Sequence, residues 1–343
     1  MNLHFWKFGK LPQVAGFATL SIALLFANPV KAETHQVRIA YQFGFQYVPL
    51  IVMKQRNLLE KHAKQAGLGN LKVSWLQFSG GGSMNDALLS DSIDFGELGV
   101  GPFIQIWAKT RGTMNVKAVA ATGSMPMILT SSNPKVKSLQ DLTDQDRIAL
   151  PTVKSSMQAI TLQMAAAKIW GDKNYDRLDK LTVSMKHPDA VVAMLSGKAS
   201  ITGHFTVPPF STQELSDPRI HKVLDSYEIY GEPATINVIY ATQKFHDNNP
   251  KVYKAFLAAL KEATGIAQND RNAAAQAFMK DAKTRMDATL VTKVLSDPKI
   301  HYTTIPSATF KLVQFMARIG IVTQAPASWK DMFFPEIHNQ PGS

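Results

Sequence analysis

Two short stretches carry the residues best suited to hold a ligand. The first is Ser79-Gly80-Gly81-Gly82-Ser83, with Asp86 three residues beyond Ser83. Glycines let a ligand approach the backbone, and the free N–H groups of a helix start favour an anion or a polar acceptor. The second is Thr152, Lys154, Ser155 and Ser156, ahead of an apolar run from Met157. Hydroxyls, a cation and helix-start N–H groups together suit a sulfonate, phosphate or carboxylate. The plainer alternative is an ordinary N-cap beside an exposed lysine. Phe43, Phe45 and Tyr47 follow the first strand and either wall an apolar pocket or pack under their loop. His204 and Phe205 follow a later strand, where a cleft belongs, although a lone histidine is as readily structural. Glu97 lies between glycines at a strand end. It either meets a cationic group of the ligand or pairs with a lysine of a second lobe. No nucleophile elbow, zinc-protease motif or Walker loop is present, so no catalytic set emerges.

The elements that must position these residues alternate. A strand over 36–41, a helix from Pro49 to Leu59 and a strand over 71–78 lead into the glycine turn. Ser83 and Asp86 have capping-box spacing for the next helix, and a strand follows over 93–98. A helix over 104–110 and strands over 116–121 and 126–130 complete a first α/β set. Strand–helix alternation implies a mostly parallel sheet, whose ligands sit where strands end and helices begin. A second set follows: a strand over 147–150, a helix over 157–170 with Ser155 and Gln158 at capping-box spacing, a strand over 181–185, a helix over 189–195 and a strand over 199–202. Ala87-Leu88-Leu89-Ser90 before Ile93-Asp94-Phe95-Gly96 is echoed by Ala193-Met194-Leu195-Ser196-Gly197 before Ala199-Ser200-Ile201-Thr202. That echo points to two similar lobes. A strand over 235–241 returns the chain to the first, Asn249-Pro250 starts a long helix to about residue 268, and the remainder is mainly helical.

Residues 1–32 have the form of a secretory leader. Lys7 and Lys10 are its basic start, 14–26 is an apolar core too short to span a bilayer, and Val30-Lys31-Ala32 sets cleavage after Ala32. A retained anchor is the alternative. Removing Lys7, Lys10 and Lys31 takes the net charge from +11 to +8. The basic residues are scattered, and export argues against nucleic acid as a partner. The chain has no cysteine. Disulfides, thiolate metal sites and a lipid-anchored amino terminus are therefore excluded, and a free periplasmic protein is expected.

Val37-Arg38-Ile39-Ala40-Tyr41, Gly80-Gly81-Gly82, Asp86-Ala87-Leu88-Leu89, Ile93-Asp94-Phe95-Gly96 and Gly99-Val100-Gly101-Pro102, in this order, resemble substrate-binding proteins of ABC importers. The subgroup is the nitrate, sulfonate, taurine and thiamine-precursor family. The resemblance implies an α/β protein with the two-lobed periplasmic binding protein fold of type II, each lobe a mixed sheet flanked by helices. It places lobe 1 at 33–123 and 235–343 and lobe 2 at 124–234, joined by two crossing strands. By the same resemblance, ligand contacts come from Gln42, Phe43 and Gln46, from Gly81, Gly82 and Ser83, and from Val100 and Gly101. The second lobe adds Thr152, Lys154, Ser155, Ser156, His204 and Phe205. His204-Phe205 stands where sulfonate binders often carry an acid or tryptophan, and Glu97 where relatives often have a small residue. The implied function is capture of a small anionic solute and delivery to a membrane permease by a monomer, with no cofactor, no metal and no catalysis. A thiamine-pyrimidine precursor binder, a pyrimidine-synthase-type enzyme and a sensor subunit are the alternatives.

Overall fold

Alternation in Gln36–Tyr41 gives β1, with Val37 and Ile39 fully buried on its inner face. The computed structural model describes residues 1–5, 9, 33–197, 200–283 and 286–343. Glu33–Ser343 form one compact unit, separate from Met1–Ala32. The expected leader core and cleavage site, at 14–32, lie outside the described residues.

Two five-stranded sheets share one plan. In the first, β1 pairs parallel with β2 (Lys72–Gln77) and β3 (Phe95–Gly99). A later strand, Thr235–Ala241, runs antiparallel between β3 and β4 (Lys117–Ser124). The second sheet holds β5 (Ile128–Ser131), β6 (Ile148–Leu150), β7 (Thr182–Ser184), β8 (Gly203–Thr206) and β9 (His221–Asp225). With Thr235–Ala241 as β10, the orders are β2-β1-β3-β10-β4 and β7-β6-β8-β5-β9. Each sheet thus takes, in fourth position, the first strand after the chain crosses from the other sheet. In each sheet four strands run one way, as expected of a mostly parallel sheet, and the crossing strand runs against them. A crossing chain enters at the end where the parallel strands finish, so it must run against them.

Helices fill the connections. They are α1 (Val48–Gln55), α2 (Leu58–Gln65), α3 (Gly81–Leu89), α4 (Val100–Lys109), α5 (Met157–Trp170), α6 (His187–Ser196), α7 (Phe210–Leu215) and α8 (Ser226–Tyr230). After β10 come α9 (Gln243–Asn248), α10 (Pro250–Asn269), α11 (Arg271–Ala282), α12 (Ala288–Leu295) and α13 (Thr309–Arg318). The expected single helix from Pro49 to Leu59 is two, because Asn57 takes the left-handed conformation at φ 49°. Asn tolerates that region better than most residues. The strand expected at 199–202 lies instead at Gly203–Thr206.

The core of the first lobe is aromatic. Phe95 stacks on Phe256 of α10 with centroids 3.9 Å apart. Arg38 of β1 clasps Asp94, just ahead of β3, Nη2 to Oδ1 at 2.8 Å, so this acid of the Ile93–Gly96 motif is structural. Glu33 closes the start of α10: its carboxylate accepts from Lys251 N at 2.9 Å and Val252 N at 2.7 Å. Thr34 N donates to Asn249 Oδ1 at 2.8 Å beside it. Two connections cross between the sheets, at 125–127 and 231–234.

Candidate functional site

Four helix starts meet between the two sheets. Gly81 opens α3, Gly99 is the N-cap of α4, Ser156 is the N-cap of α5, and His187 opens α6. All four residues line one cavity of about 30 Å³, together with Gln42, Gln46, Tyr47, Gln158 and Asn237. Two of the helices belong to each sheet, and each follows a strand, so the site lies where strands end and helices begin. Ser156 Oγ accepts from Ala159 N at 3.2 Å. The cap is therefore Ser156 and not Ser155. Likewise α3 is capped by Gly80, and Ser83 sits inside the first turn, donating to Gly80 O at 3.0 Å.

The lobes touch around this cavity through glycines. A Cβ built on Gly80 would meet Thr152 Oγ1 at 2.5 Å, and one on Gly101 would meet Ile160 Cγ1 at 3.0 Å. Across the cleft the backbone is also joined directly, Phe45 N donating to Pro208 O at 3.1 Å. The glycines read in the sequence as room for a ligand thus also make room for the facing lobe.

Of the residues expected to bind, Gln42, Gln46, Gly81 and Ser156 line the cavity. Gly82 and Thr152 do not line it, Thr152 facing Gly80 instead, and Gly101 packs against α5. Val100 is buried in the core and Ser83 is exposed. Lys154 is exposed at φ 63°, with Ser155 half-buried next to it, and neither lines the cavity. Phe205 is wholly buried on β8. Phe43 lines a separate apolar groove of about 530 Å³ with Val191, Phe210 and Phe278, which shares Gln42 with the cavity. Sequence reasoning missed Gln158, His187 and Asn237. Asn237 had a signal, a polar residue amid the apolar run Ile236 to Ala241.

Glu97 is fully buried one layer beneath the cavity, and its partners are not a lysine. Oε1 accepts from Thr122 Oγ1 at 2.8 Å and Asn237 Nδ2 at 3.2 Å, while Oε2 has no hydrogen-bond partner. Burial pushes its pKa up to about 8, against the pull of those two donors. The carboxyl thus keeps its proton to higher pH than an exposed glutamate does. Burial likewise holds the Tyr47 hydroxyl well above the usual tyrosine range.

His204 is fully buried and lies behind the cavity. Its Nδ1 is 2.6 Å from Glu214 Oε1, and its Nε2 is 2.8 Å from His187 Nδ1. His187 Nε2 stands 3.2 Å from Gln158 Nε2. Among the described lining residues there is no lysine, arginine, aspartate or glutamate.

The arrangement resembles known proteins. The model of the NMT1-like family matches residues 30–280. The taurine-binding periplasmic protein of Escherichia coli (strain K12) is 26% identical over 248 residues, 71% of this chain and 70% of that protein. The alkanesulfonate-binding protein of Xanthomonas axonopodis pv. citri, bound to MOPS, superposes with TM-score 0.69 at 19% identity, covering 88% of this chain and 98% of its own. The periplasmic nitrate-binding protein of Synechocystis PCC 6803 superposes with TM-score 0.67 at 16% identity, over 88% and 84%. The last two show the fold: two lobes of the periplasmic binding protein kind.

Proposed function

Because the chain belongs to the NMT1-like family, we propose that it is the solute-binding component of an ABC importer. It captures one small anion of the sulfonate, taurine or nitrate class without changing it chemically. Lobe 1 (33–123 and 235–343) and lobe 2 (124–234) close on the anion about the crossings at 125–127 and 231–234. The closed form is then delivered to a membrane permease. The protein acts in the periplasm as a monomer, after loss of a leader ending at Ala32. No helix among the described residues is long and apolar enough to cross a membrane.

The observation that carries this reading is the meeting of four helix starts on one cavity. A helix start contributes about 0.3–1 kcal/mol to holding an anion, up to about 2 kcal/mol when partly buried. Four at the upper value come to about 8 kcal/mol, roughly what micromolar binding requires. Gln42, Gln158 and Asn237 add neutral donors. The two lobes already meet around this cavity, Gly80 against Thr152 and Gly101 against Ile160. An anion therefore enters with the lobes apart and binds the closed state better than the open one, which shifts the population toward closure.

Isothermal calorimetry of the purified protein with taurine, methanesulfonate and nitrate tests the proposal. One site per chain with micromolar or tighter affinity is expected, and ligand recovered after denaturation should be unaltered. Absence of heat with all three anions would remove this reading, and steady turnover of any of them would replace it with catalysis.

A further inference from the structure

An anion enclosed in a small cavity needs a compensating charge. Among the described lining residues only Tyr47 and His187 titrate, and of these only His187 can become a cation. Its ring is nine-tenths or more buried at the start of α6, stacked on Phe210 of α7 with centroids 5.4 Å apart.

Behind it runs a chain of hydrogen bonds that fixes where the protons sit. Thr130 Oγ1 donates to Glu214 Oε2 at 2.7 Å. Glu214 Oε1 stands 2.6 Å from His204 Nδ1. The Gln158 side-chain nitrogen only donates, so His187 Nε2, 3.2 Å from it, accepts, and His187 Nδ1 carries the proton shared with His204 Nε2 at 2.8 Å. His187 Nε2 is left with a lone pair on the cavity side, where it takes the Gln158 amide N–H at 3.2 Å.

We propose that the anion enters together with one proton, which binds the lone pair of His187 Nε2. No other bond forms or breaks. The new N–H donates to an anion oxygen, the Gln158 amide is freed to donate beside it, and Glu214 stabilises the imidazolium through His204. His187 is thus the specificity-determining residue that admits a negative charge. The groups facing it are His204 from β8, Glu214 behind it on α7, and Tyr47 across the cavity. On its own helix end, Lys186 and Asp189 pair with each other at 3.4 Å. Burial holds His187 well below the usual histidine range, so it is neutral at pH 7 without an anion. A bound anion raises that value. Affinity therefore falls as pH rises between the free and bound values.

This inference rests on the anion reading above. Calorimetry with methanesulfonate, taurine and nitrate at pH 7, in buffers of different ionisation enthalpy, counts protons directly. Uptake near one proton per anion is expected, with Kd weakening by about tenfold per pH unit above pH 7. His187→Gln should bind with no uptake and a flat pH profile. In Glu214→Gln the uptake should be smaller than in the wild type. Binding by the wild type without proton uptake would overturn the inference and leave the function standing. Failure of all three anions to bind at any pH would overturn both.

Discussion

Gly99 and Met157 approach so closely across the cleft that a Cβ on Gly99 would lie 2.7 Å from Met157 Cβ. Gly99 has φ −56° and ψ 148°, which any residue adopts, so an added methyl meets the facing lobe without straining its own backbone. Gly99→Ala should therefore hinder closure. We expect anion affinity to fall at least about tenfold while the melting temperature of the unliganded protein moves little. A melting-temperature loss that matches the affinity loss would assign the contact to the core instead.

Glu97 should make stability fall as the solution becomes more alkaline. Its pKa is raised from the ordinary 4.5 to about 8 in the folded protein. Between those values the folded state holds a proton that the unfolded state has lost, so unfolding free energy declines as pH rises through that window. Glu97→Gln keeps a neutral acceptor and has no proton to lose. Denaturant titrations at pH 5 and pH 8 should show a smaller difference for the variant than for the wild type, and an equal difference would exclude Glu97 as the source.

Ser156→Ala removes the only side-chain cap seen on the helices that open on the cavity. A stability loss of about 1 kcal/mol is expected from the lost cap. Affinity should drop as well, since the start of α5 would no longer be held in place. Thermal melts and calorimetry of the variant separate the two effects.

Lys154 makes the opposite case. Its side chain is exposed and away from the cavity lining. Lys154→Ala should leave stability within about 0.5 kcal/mol and affinity within about twofold. A tenfold loss on calorimetry would return the lysine to the site.

The fold was legible because local signals were strong and mutually consistent. β1 and α5 lie where alternation and an apolar run put them. The second sheet repeats the first, as the echo around Ala193 implied. What pattern could not supply was long-range pairing. Nothing local announces that β10 enters between β3 and β4 and runs against both. The site was half legible for the same reason. Glycine turns and caps are local chemistry, so Gly81 and Ser156 could be found. His187 and Asn237 matter through neighbours far along the chain. His204 is in contact with His187 and not with the cavity, a distinction spacing does not carry.

Glu33 has a consequence for how the protein is made. Its carboxylate holds the first two amide groups it reaches at the start of α10, Lys251 N and Val252 N. With the proposed cut after Ala32, that anchoring residue becomes the newborn amino terminus, with nothing to spare ahead of it. Trimming by one residue, by an imprecise peptidase or an aminopeptidase, would discard the anchor together with the end. Preparations of mixed terminus should therefore melt as two populations, resolved by intact-mass analysis, with the shorter species unfolding first. Accuracy of maturation would thus be written into the thermal behaviour of a helix more than two hundred positions away in the chain.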